Sequence, residues 1–124
     1  MTTLSPTHPE AVRHLDRLAT RLRVVGPRLA AREGAQAQEQ LQAIRAGLQN
    51  LADITAEADG EPRRPVPELS GYALADQALV LGHDLLGHDR LGHDRLAGDS
   101  DGPERSDRFR LVAVEAIQRI YQLL

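Results

Sequence analysis

The sequence predicts an all-α fold, an antiparallel four-helix bundle of the up-down type. Three observations carry that reading. Apolar residues recur at steps of three and four in four separate windows, glycine and proline signals separate the windows, and β-branched and aromatic runs are missing. The alternative is a three-helix core with a loose third segment, because the third window is the least regular. At 124 residues the chain forms one domain and needs no disulfide staples, and it has no cysteine to make them. Aromatic residues amount to 2% (Tyr72, Phe109 and Tyr121), so the interior must be aliphatic.

The first helix is expected over about 9–33. Thr7-His8-Pro9-Glu10 opens it, with proline where its missing N–H costs nothing and an acid that favours the helix dipole. Val12, Leu15, Leu18, Leu22, Val25 and Leu29 make its apolar stripe; Gly26-Pro27 should kink it, and Gly34 should cap its end. The second spans about 35–58 with Leu41, Ile44, Leu48, Leu51 and Ile54 on one face, and Asp59-Gly60 stops it. Residues 61–67 carry three prolines and form an extended connector, suited to spanning the end of a bundle.

The third helix should cover about 69–90, with Leu74, Ala78, Leu81 and Leu85 aligned. The fourth is expected over 103–124, opened by Pro103-Glu104, with Phe109, Val112, Ala113, Ala116, Ile117, Ile120 and Leu124 as its main stripe. Leu111 falls on the opposite side, so this helix is apolar around much of its circumference.

Residues 81–98 repeat a five-residue unit. Leu81-Gly82-His83-Asp84-Leu85 is followed by Leu86-Gly87-His88-Asp89-Arg90, Leu91-Gly92-His93-Asp94-Arg95 and a degenerate fourth copy. On a helix each copy rotates by about 140°, so successive leucines travel around the axis. Glycine in every unit weakens helix by roughly 1 kcal/mol relative to alanine. The segment is therefore a marginal helix extension or an irregular loop. Imidazole and carboxylate are both ligands for zinc and similar divalent ions, which makes His83, Asp84, His88, Asp89, His93 and Asp94 the candidate metal ligands. Slippage of a short DNA unit explains the same regularity without any metal.

His83-Asp84-Leu85-Leu86-Gly87 resembles the phosphoacceptor segment of histidine phosphotransfer domains, which are also four-helix bundles. That family has a lysine where Leu86 stands here. The resemblance covers five residues and implies a phosphoacceptor role for His83. Asp99-Ser100-Asp101-Gly102 echoes a calcium loop, but aligning Gly102 with the loop glycine puts Ala97 and Arg108 at ligand positions, and the match fails. Ser5, Ser70, Ser100 and Ser106 sit at segment ends, where capping explains them, and no nucleophile elbow or phosphate loop is present.

Net charge is −3, which gives no general attraction to nucleic acid or anionic membrane. All 15 basic residues are arginine, a bias expected of a GC-rich bacterial genome. Arg13, Arg17, Arg21, Arg28 and Arg32 form a stripe beside the apolar face of the first helix, read as a solvated surface. Without a leader or an apolar run long enough to span a bilayer, the cytoplasm is the expected location. Function is expected to be binding to another protein or to a second copy, through Leu111, Tyr121, Leu123 and Leu124. No enzyme chemistry and no cofactor are expected beyond the candidate divalent metal.

Overall fold

The computed structural model describes residues 6–95 and 102–124, with the side chains of 6–87 and 107–124. Four helices follow one another: α1 (His8–Ala31), α2 (Ala35–Asp59), α3 (Leu74–Arg95, entered through a 3-10 turn at Gly71–Ala73) and α4 (Gly102–Gln122). No strand occurs among the described residues.

Helix ends follow local chemistry. Thr7 accepts the Glu10 N–H at 3.2 Å and satisfies a donor of the first turn of α1. Gly60 adopts the left-handed conformation (φ 69), which lets the Glu61 N–H reach the Ala56 carbonyl at 2.9 Å and closes α2. One expectation changes. Helix α1 ends at Ala31, and Gly34 (φ 121) begins α2 rather than capping α1. Pro27 lies inside α1, which runs on to Ala31.

The stripes meet in one aliphatic core. Leu15, Leu18 and Leu22 of α1, Ile44, Leu48 and Leu51 of α2, Leu74, Leu85 and Leu86 of α3, and Ile117 and Ile120 of α4 are all fully buried. Along α4, Val112 proves exposed while Val114 is buried. Val114 stands three residues before Ile117, so it shares the face of α4 that turns toward α1.

Contacts along the helices fix their order and direction. Both α1 and α2 pack on α3 and on α4, and they touch each other least, so they occupy one diagonal. Gly26 meets Gly71 and Leu74 while Leu15 meets Gly82, so α3 runs antiparallel to α1. Arg110 donates to the Pro6 carbonyl and Arg21 to that of Leu124, so α4 runs parallel to α1. Gly47 against Ile120, and Gln40 donating to Leu123, set α4 antiparallel to α2. The order is up-down-down-up, which needs one long return connection. The proline-rich segment supplies it by running back alongside α2, where the sequence suggested a linker across the bundle end.

Through the repeat the backbone stays helical to Arg95. The first copy and the start of the second explain why. Leu81 is half-buried, Leu85 and Leu86 are fully buried, and Gly82 lies where a side chain would strike Leu15. Rotation of the unit around the axis is an advantage here, because α3 must bury apolar groups toward both α1 and α2. Burial there outweighs the low helix propensity of glycine.

Candidate interaction surfaces

The return connection is held to the bundle by side-chain hydrogen bonds. Gln49 of α2 uses its whole amide: Nε2 donates to the Arg64 carbonyl at 2.9 Å and Oε1 accepts the Val66 N–H at 2.8 Å. In that way one glutamine satisfies the two backbone groups flanking Pro65. Gln77 of α3 donates to the Pro67 carbonyl at 2.7 Å, and Arg45 donates to the Leu69 carbonyl at 2.7 Å while pairing with Glu68 at 3.2 Å. Arg63 is hydrogen-bonded to Glu57, and that bond, with the charges of Glu57 and Asp53, raises the Arg63 pKa above its ordinary value. Proline leaves few backbone donors in this segment, so these contacts cover much of what it has to satisfy.

Between this strap and α3 lies an open, largely apolar groove of about 570 Å³. Val66, Leu69, Val80 and Leu81 line it, together with Ala52 and Ala73. Val80 is 62% exposed and Leu69 43% exposed. Polar groups border it: Asp76 and Arg64 on the groove itself, Asp84, Asp59 and Glu61 on the adjoining depression. The sequence signals for this site were Val80, set away from the Leu74–Ala78–Leu81–Leu85 stripe, and Val66, placed between two prolines. Neither signal shows that the connector folds back beside α3.

The residues expected to form one interaction surface on α4 are spread over several places. Leu111 is 39% exposed and stands next to exposed Val112 on the outer side of the helix. Tyr121, 40% exposed, lies on the flank facing α1, where it lines a cleft with His14 and Arg17. Leu123 is exposed beyond the helix end, where its carbonyl accepts the Gln40 bond. Leu124 does not join them, because it is half-buried against the core.

Of the candidate metal ligands, His83 and Asp84 are exposed on regular helix, the setting phosphoryl acceptance by His83 would require. The side chains of His88, Asp89, His93 and Asp94 lie outside the described residues. Among the described residues, no three His, Cys, Asp or Glu side chains gather into a metal-binding group. No described helix is long and apolar enough to cross a membrane.

The second cleft lies between the parallel helices α1 and α4 and encloses about 240 Å³. His14 and Arg17 line it from α1, and Ile117, Gln118, Tyr121 and Gln122 line it from α4. Charge is divided across the bundle as well. Arginines outnumber acids on α1 and α4, whereas acids outnumber arginines on α2 and α3. Searches for similar proteins find no matching family model, no matching curated protein and no matching solved structure.

Proposed function

We propose that this protein is an interaction module of the bacterial cytoplasm that receives an amphipathic helix of a partner protein in the groove between the strap and α3. The groove itself carries the reading: two strongly exposed aliphatic side chains, Val80 and Leu69, stand beside an already ordered wall. A wall pinned by Gln49, Gln77 and Arg45 loses little freedom on binding, which favours affinity. Charge selects the occupant. Asp76, Asp84 and Glu61 border the apolar lining, and among the described residues that line it Arg64 is the one cation, so a helix with leucines at three- and four-residue spacing and arginine flanks is complementary.

A synthetic helix of that pattern, labelled and titrated with the full chain, tests the reading. Binding should saturate, and Val80→Glu should weaken it by about tenfold or more while leaving helix content unchanged. A peptide with glutamate flanks should bind far more weakly. Equal affinity of Val80→Glu and the parent chain for the arginine peptide would sink the proposal. A mass that rises with concentration and falls in Val80→Glu would make the occupant a second copy and replace the partner helix.

Exposed Leu111 and Val112 support a second reading, self-association through the outer side of α4. There Leu111→Glu, and not Val80→Glu, should lower the mass measured by light scattering. A strict monomer at high micromolar concentration removes this reading.

A further inference from the structure

We infer that the cleft between α1 and α4 is a subsite for a phosphoryl group. Its polar side chains are the Arg17 guanidinium, the His14 imidazole, the Tyr121 hydroxyl and the amides of Gln118 and Gln122. All of them can donate a hydrogen bond, and no carboxylate side chain lines the cleft. Ile117 closes the cleft on its apolar side and is itself buried.

Position and charge strengthen the assignment. Arg17 makes no ion pair with any described residue, whereas its neighbour one turn on, Arg21, donates to the Leu124 carbonyl at 3.4 Å. Arg13 and Arg21 flank Arg17 at four-residue spacing along α1, while the acids of the two helices nearest these faces, Glu10 and Glu115, lie outside the cleft lining. Asp16 is the nearest acid in sequence, and helical register sets it about 100° away around α1. A carboxylate ligand could use only part of this donor set. A phosphoryl group offers three terminal oxygens, enough to take the planar fork of Arg17 on two and the imidazole, phenol or amide donors on the rest. Parallel α1 and α4 are what bring the donors together, since they hold His14 and Arg17 level with Gln118 and Tyr121.

The test follows the ring signals of His14 and Tyr121 by NMR while inorganic phosphate, O-phosphoserine or acetate is added to the full chain at constant ionic strength. Phosphate and phosphoserine should produce saturable shifts in both rings, and acetate should bind at least about tenfold more weakly. Tighter binding of phosphoserine points to a phosphoryl group on a larger ligand, and equal binding to free phosphate; both keep the subsite. Arg17→Gln, an exposed change that spares the core, should weaken binding by about tenfold or more. Arg28→Gln, on the same basic strip but outside the cleft, should leave it unchanged. Absence of saturation, acetate binding as tightly as phosphate, or equal loss in the two variants would overturn the inference, the last by showing that only the general charge of α1 is sensed.

Discussion

Glycine 82 and glycine 87 occupy the same place in consecutive copies of the repeat, yet they face different surroundings. A side chain on Gly82 would strike buried Leu15, and one on Gly87 would meet no described residue within 4 Å. Alanine should therefore act with opposite signs at the two sites. Gly82→Ala should cost about 1–3 kcal/mol through overpacking, and Gly87→Ala should gain about 0.5–1 kcal/mol from helix propensity. Urea denaturation of both variants checks the pair, and a shift of both midpoints in one direction would refute it. The contact of Gly26 with Gly71 is stricter, because the obstacle on each side is the other residue's backbone carbonyl. Backbone cannot rotate away as a leucine end can, so Gly26→Ala should lose about 2 kcal/mol or more despite its better helix propensity. A midpoint equal to that of the parent chain would mean that α3 can draw back from α1 at little cost.

Among the elements, the strap differs most from its neighbours: it has no internal ladder and takes its hydrogen bonds from α2 and α3. Gln49 is its central fastening. Gln49→Ala leaves the half-buried Val66 N–H without its acceptor and removes a donor from the Arg64 carbonyl. The expected loss is about 1–3 kcal/mol. Hydrogen exchange at Val66 should accelerate more than at core amides of α1, which reports local opening and not global unfolding. Equal acceleration at both would show that the strap and the bundle open as one unit. Arg63 with Glu57 is a solvent-exposed pair and adds little to this fastening. The groove depends on the same fastening, so Gln49→Ala should also weaken the arginine-flanked helix.

At the scale of the molecule, two pairs of parallel helices are joined by one crossover, and the parallel pairings decide which surfaces exist. Pairing α2 with α3 leaves room for the strap and the apolar groove, and pairing α1 with α4 assembles the donor-lined cleft. The shared interior couples them. Leu48 is fully buried in the core cluster, and Leu48→Ala should destabilise the whole bundle by about 2–5 kcal/mol. Loss of signal at all four helices in a single thermal transition is the expected observation. Separate transitions for the α2/α3 and α1/α4 pairs would contradict a common core.

Helix number, the approximate bounds of α1, α2 and α4 and most of the buried side chains are legible in the residues alone, because spacing at three and four along a chain determines which face a helix must hide; α3 lies five residues later at both ends than the expected 69–90. Leu15, Leu48 and Ile117 behave as that rule requires. Val112 does not, since α4 is apolar on several sides and only its neighbours select the face that is covered. Helix direction belongs to the tertiary structure too. The prolines of residues 61–67 dictate an extended chain, but spanning the bundle end and returning along its flank are equally extended, and the choice rests on Gln49, Arg45 and Gln77 meeting carbonyls distant in sequence. Both candidate sites arise from that choice, because each is built from helices brought side by side by packing and not by adjacency along the chain.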